Sequence, residues 1–192
     1  MGKNKIILVS ATPLEHGGLK ELFGFPIFQV GIGKINAASN MTEILWNEEP
    51  YVVINFGSCG NLKNHKIGEV LEVGTVYNNI DCEPFAPYGC TPYLDLCDIN
   101  LSDSKIKCFT TDQFYDSHRT DYSKKYLERI GECDIVDMEC YALAQVCKQR
   151  DIFFKSYKWV SDDGESHKWE ENAKIGFENF KWKLKEYFFA DN

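Results

Sequence analysis

Short apolar runs, each ending in glycine or polar residues and separated by stretches of helical period, limit how this chain can fold. "KIILVS" runs into the turn-prone "ATP", Phe28 to Val30 run into "GIG", and "VVINF" runs into the glycine-rich "GSCGN". An apolar run without alternation suits a strand covered on both faces, as in parallel sheets between helix layers. After "GIG", Ala37, Met41, Ile44 and Leu45 keep a helical period. "GEVLEVGTVYNN" reads as a longer strand, "KIKCFTTDQF" as a strand with a polar end, and "DIVDME" as a strand meeting an amphipathic helix that reads from Met138 to Cys147. "DIFFKSYKWVSDDG" reads as one more strand. "DSHRTDYSKKYLERIG" is helix-like and stops at Gly131. A last helix carries the stripe Phe177, Phe180, Leu184, Tyr187 and Phe188. The proline-bearing segment 80–101 reads as a loop. This alternation predicts an α/β fold: a three-layer αβα sandwich around a central mixed, mostly parallel sheet. No linker or repeat interrupts it, so residues 1–192 are expected to form a single domain.

The net charge of −8 argues against nucleic acid and anionic membrane as partners, since both call for a basic face. The apolar run near the N-terminus, Ile6 to Val9, is too short for a signal or a span. No two of the eight cysteines form a CxxC pair, and Cys140 and Cys147 keep heptad spacing on one helix. Free buried thiols in a reducing cytoplasm are the expectation. His16, His65, His118 and His167 are scattered and are expected at solvated positions, with no metal site and no cofactor.

Polar and glycine clusters gather where the strands end: Glu15, Gly31 to Gly33, Gly57 to Gly60, Asp112 to Phe114, Glu139 and Asp162. Ligands of α/β sheets bind beyond the carboxyl ends of strands, so these ends are expected to share one cleft. "GIGK" lacks the spacing of a phosphate-binding P-loop, and Asn36 stands where a dinucleotide fingerprint needs its third glycine. Taken singly, every one of these residues has an ordinary explanation. A carboxylate after a strand is a cap, Met138 and Phe114 are packing, Ser58 is a turn residue, and Asp163 is as good a candidate as Asp162.

Taken in order, the blocks resemble the nucleoside phosphorylase/nucleosidase superfamily, and within it the 5'-methylthioadenosine/S-adenosylhomocysteine nucleosidases. "KIILVSATPLEHGGL" is similar to the family's opening strand and its glutamate-bearing turn. "VGIGKINAA" and "VINFGSCGNL" are similar to the next two blocks. "VDMECYALAQVC", followed twelve residues later by "VSDDG", is the most specific pair, and "TTDQF" a weaker match. The resemblance implies hydrolysis of the N-glycosidic bond of a purine nucleoside. Asp162 would protonate the purine and Glu15 would activate water. Glu139 would accept hydrogen bonds from ribose hydroxyls while Met138 packs on the sugar. Phe114 would stack on the base beside the backbone of Tyr115, with Ile32, Ser58, Cys59 and Gly60 lining the cleft. Asp137 is then left as a helix cap.

Phosphorolysis is the alternative within the superfamily. Phosphate calls for arginine forks, yet this chain has only Arg119, Arg129 and Arg150, and its opening turn carries a glutamate. Hydrolysis is therefore favoured. A non-catalytic nucleoside-binding relative is the third reading, and the intact Glu15, Glu139 and Asp162 set argues against it. Tyr141 replaces a small residue of the family pattern and must either pack outward or narrow the pocket. The segment 84–107 is short for the family, which leaves the 5' substituent open between a methylthioadenosine-like and a futalosine-like nucleoside. The resemblance also implies a homodimer, and the aromatic loop from Asp81 to Leu96 offers it a surface.

Overall fold

The computed structural model describes residues 5–94, 97–164 and 169–189. Among them, β1 (Ile6–Ser10) ends in a short 3-10 turn, Pro13–Glu15, and a two-residue strand, β2 (Glu21–Leu22), precedes β3 (Phe25–Gln29). Then follow α1 (Lys34–Glu48), β4 (Val52–Asn61), β5 (Val70–Asn78), β6 (Asp98–Asn100), β7 (Ile106–Thr110) and α2 (Lys124–Gly131). The rest is β8 (Ile135–Asp137), α3 (Cys140–Lys148), β9 (Phe153–Asp162) and α4 (Trp169–Phe189).

The strands form one mixed sheet in the order β2-β3-β1-β4-β8-β7-β5-β6, with β9 paired to both β4 and β5. Five of the pairings are parallel and four antiparallel. Because β9 bridges β4 and β5, the run β4-β8-β7-β5-β9 closes on itself as a small ring within the sheet.

Side chains alternate across the strands, so both faces are apolar. Ile7, Val9 and Val53 turn to one core with Met41 and Leu45 of α1 and Leu143 of α3. Leu8, Ile54, Phe56, Tyr157 and Trp159 turn to the other, under Phe177, Phe180 and Leu184 of α4. Helices on both faces give the three layers expected. A third cluster packs Tyr126 and Ile130 of α2 against Phe109 and Val136. No helix among the described residues is long and apolar enough to cross a membrane.

The structure corrects several expectations. Gly57 to Gly60 do not form a turn after β4. They lie within it, and the strand continues beside β9 through a register shift between Cys59 and Gly60. The segment 80–101 contains β6, which pairs antiparallel to β5. Three residues are too few for a periodic signal. In "DSHRTDYSKKYLERIG" the helix starts only at Lys124, because the Ser123 hydroxyl accepts the Tyr126 amide and caps it there. Tyr187 is exposed, so the stripe of α4 is completed by Ala173 instead.

Cys90 and Cys97 are joined by a disulfide, against the expectation of free thiols throughout. Loop folding brings together two cysteines that helical or strand spacing would not pair. His16 is buried, not solvated, since the turn after Glu15 tucks it under the chain. His65 is half-buried and His118 exposed. His167 and Leu96 lie outside the described residues. Tyr141 turns away from the cleft into the core beside α1 and the sheet.

Candidate active site

A cavity of about 300 Å³ lies where these strand ends meet. Glu15, Ile32, Ser58, Cys59, Gly60, Phe114, Tyr115, Met138, Glu139 and Asp162 all line it. These ten residues thus reach one space, although six separate segments contribute them.

Glu15 stands at the third position of the 3-10 turn and reaches back to the Thr12 amide, the acidic half of a capping box. Its carboxylate does more than cap. Oε2 accepts the amides of Ala11 (2.9 Å) and Thr12 (3.1 Å), and Oε1 accepts the amide (2.8 Å) and hydroxyl (2.9 Å) of Ser58. Four donors fix a group that is only 3% exposed. The glycine at 57 is what admits it, because a Cβ there would stand 2.8 Å from Glu15 Oε1. At the other end of the same strand segment a Cβ on Gly60 would meet Val136 at 2.9 Å and Asp162 Oδ1 at 3.5 Å.

Asp162 ends β9 and is buried, whereas Asp163 is exposed and lies off the cavity. Asp162 Oδ1 accepts the Gly164 amide at 3.0 Å, and Oδ2 lies 2.8 Å from the Ser161 hydroxyl. That hydroxyl also reaches the Cys59 carbonyl at 3.1 Å. One hydroxyl proton cannot serve two acceptors, and a proton on Asp162 Oδ2 satisfies both. Burial raises the Asp162 pKa above its usual value, against the lowering effect of the Ser161 and Gly164 hydrogen bonds.

The two carboxylates of "DME" turn to different partners. Asp137 Oδ2 accepts the amides of Glu139 (3.3 Å) and Cys140 (2.8 Å), which caps α3. It also pairs at 2.8 Å with Lys158, an ammonium as fully buried as its partner. Burial acts to raise the Asp137 pKa, and Lys158 with the hydrogen bonds around it brings the net shift below the usual value. Glu139 turns the other way, with Oε1 accepting the Gly33 amide at 2.9 Å. Gly33 holds φ +86°, a conformation that favours glycine. Burial pushes the Glu139 pKa up to about 8. Lys158 opposes this, while Asp137 and Glu15 add to it.

The Cys59 thiol is held neutral by burial and its Sγ meets the Trp159 carbonyl at 3.3 Å, so it lines the cleft as a small apolar group. Phe114 is 42% exposed at the mouth, as a face awaiting a partner would be. No arginine or lysine lines the cavity among the described residues. Arg119 is held by Asp121 and Gln113, and Arg129 by Glu132.

Sequence reasoning missed Trp169, whose indole N–H donates to the Ser58 hydroxyl at 2.7 Å and whose ring walls the cavity. It also missed Lys158, although a lysine inside the apolar run of β9 is itself a signal of a buried partner. Lys34 was passed over as well. It ties α1 to Asn78, the Asn79 carbonyl and Asp112, each at 2.9 Å.

Comparison with known proteins bears on what such a cleft does. A 5'-methylthioadenosine/S-adenosylhomocysteine nucleosidase of Exiguobacterium sp. is 29% identical over 179 residues, covering 80% of this chain and 72% of its own. The nucleosidase of that name from Neisseria meningitidis, solved with methylthio-immucillin-A, superposes with a TM-score of 0.82 at 21% identity, covering 96% of this chain and 98% of that one. Futalosine hydrolase of Helicobacter pylori superposes at 0.79 with 18% identity, covering 95% and 98%. Residues 25–186 match the Phosphorylase superfamily, and the chain belongs to that family.

Proposed function

We propose that this protein is a purine nucleosidase. It hydrolyses the N-glycosidic bond of a 5'-methylthioadenosine/S-adenosylhomocysteine-like or futalosine-like nucleoside and releases the purine base. The observation that carries this reading is the pair of buried carboxylates in one cavity, one held by four donors and the other poised to keep a proton. The bond from C1' to the purine breaks with its electron pair going to the base, and Asp162 supplies the proton the base needs. The cationic sugar is met by water, whose proton passes to Glu15. Four donors hold the Glu15 carboxylate in one orientation, which suits a base that must meet a water in one place. Glu139, anchored by Gly33 through one oxygen, offers the other to a ribose hydroxyl. Met138 packs on the sugar and Phe114 on the base, beside the Tyr115 backbone. Ile32, Ser58, Cys59 and Gly60 complete the walls.

A cavity walled by carboxylates, with no cation on its surface among the described residues, disfavours phosphate as the attacking group. The test is a panel of purine nucleosides differing at the 5' position, incubated with and without phosphate while free base and sugar are followed. Base release independent of phosphate, with free ribose sugar as co-product, is expected. Release that requires phosphate and yields a sugar 1-phosphate would replace hydrolysis by phosphorolysis.

The protein acts as a single domain in the cytoplasm, where its five buried thiols stay reduced. It works as a homodimer. Phe85 and Tyr93 are 76% and 97% exposed on the loop after β5, and Ile35 stands 84% exposed at the start of α1. Such side chains gain by being covered. Light scattering at micromolar concentration is expected to give about twice the 22.1 kDa chain mass. A chain mass of one copy with full base release would mean that each site is complete within one chain.

A further inference from the structure

The first turn of α4 touches the supports of both carboxylates. Trp169 and Asn172 are three residues apart and share one face of the helix. Trp169 donates its indole N–H to the Ser58 hydroxyl at 2.7 Å, and Ser58 holds Glu15 through both its amide and its hydroxyl. Asn172 donates to the Ser161 carbonyl at 2.7 Å, and the Ser161 hydroxyl lies against Asp162. We infer that this turn is a brace for the active site, in which Trp169 is a positioning residue that acts on Glu15 through Ser58. Asn172 pins the same turn to β9 beside Asp162.

The chemistry of the donors supports the direction of the effect. An indole N–H can only donate, so the Ser58 oxygen must accept from it. With that lone pair occupied, the single Ser58 proton turns to Glu15 Oε1, the other polar atom in reach. Glu15 then receives its fourth hydrogen bond from a hydroxyl whose rotation is fixed from behind. Without the indole donor the hydroxyl can rotate, and Glu15 loses a fixed direction for the water it activates. The ring itself still walls the cavity, so contact with the nucleoside is a separate matter from positioning.

The inference rests on the nucleosidase reading, and two measurements separate them. The first is kinetic. Trp169→Phe keeps an aromatic wall and loses only the donor, so kcat is expected to fall about tenfold while KM stays within about threefold. Ser58→Ala lowers kcat too, and the double variant is expected to be no slower than Ser58→Ala alone, because Trp169 has nothing left to act through. Asn172→Ala is expected to lower kcat in the same direction. Unchanged kcat in Trp169→Phe, or losses that simply multiply in the double variant, would overturn the inference. The second measurement needs no activity. The Trp169 indole signal in an amide proton–nitrogen spectrum is identified by its loss in Trp169→Phe, and it should move upfield in Ser58→Ala. If the signal stays in place, the hydrogen bond is absent and the brace with it. If the parent releases base from no nucleoside, the nucleosidase reading fails and the indole signal alone decides whether the brace exists.

Discussion

Asp162→Asn is expected to retain its fold and lose about 10²–10⁴-fold in turnover. The amide matches the carboxyl in shape. Its oxygen can still accept the Gly164 amide, and its NH2 can donate to the Ser161 oxygen once that hydroxyl turns its proton to the Cys59 carbonyl. What it lacks is an acidic proton for the leaving purine. The stability of the variant runs opposite to its activity. Burial raises the Asp162 pKa above 3.8, so between that value and the raised one the folded protein binds more protons than the unfolded chain. Stability contributed by the protonated acid is complete below 3.8 and declines as pH rises through the folded value. The amide never ionises and escapes that decline. Thermal unfolding at neutral pH should place Asp162→Asn at or above the parent, while base release from the best nucleoside collapses. Near-parent turnover would remove Asp162 from the acid's role.

Lys158→Met is expected to cost about 3–5 kcal/mol of stability at neutral pH, the usual consequence of removing one member of a buried ion pair. The packing changes little, but the Asp137 carboxylate is left charged, buried and without its cation. The pH dependence identifies the cause. In the parent, Asp137 is held below its usual 3.8 and Lys158 above its usual 10.5. The contribution from Asp137 is present above 3.8 and lost as pH falls through its lowered value. That from Lys158 is present below 10.5 and lost as pH rises through its raised value. In the variant, burial of Asp137 is opposed only by its hydrogen bonds from Thr110, Glu139 and Cys140, so it takes up a proton at milder acidity. Urea unfolding should therefore show a deficit that is full at pH 7 and shrinks as the pH is lowered towards 3.8 and below. A deficit of equal size at both ends would mean that Lys158 matters through its packing alone.

The sequence revealed the site more fully than the path of the backbone. Glu15, Glu139 and Asp162 were legible because each follows an apolar strand and interrupts it with a charge. Ordered blocks then tied them to one chemistry. Lys158 was hidden by its own strand, since "FFKSYKWVSD" reads as a strand whether its polar positions face water or a buried acid. Trp169 was hidden because an aromatic at the start of a helix looks like core, and its partner Ser58 lies 111 residues away. The Cys90–Cys97 bridge and β6 escaped for a similar reason. Both arise from how a loop folds back, and local propensity carries little of that. "GSCG" reads as a turn on composition. It remains strand because those glycines leave room for Glu15 and Asp162, a demand set by distant residues.

The ring formed by β4, β8, β7, β5 and β9 bears on how the protein comes to be folded. Val52 pairs with Phe153 and Gly57 with Lys158, about a hundred positions apart. Closing such long loops carries an entropic cost that local contacts do not offset, so this topology folds late and cooperatively. During synthesis β4 leaves the ribosome well before β9. Until β9 arrives, the side of β4 that it will cover exposes unpaired backbone groups next to an apolar sequence. Glu15 and Asp162 cannot share one cavity before then, because Asp162 is the last residue of the strand that closes the ring. Assembly of the cavity and completion of the fold are therefore one event, and a chain halted before β9 is an aggregation hazard without its cleft.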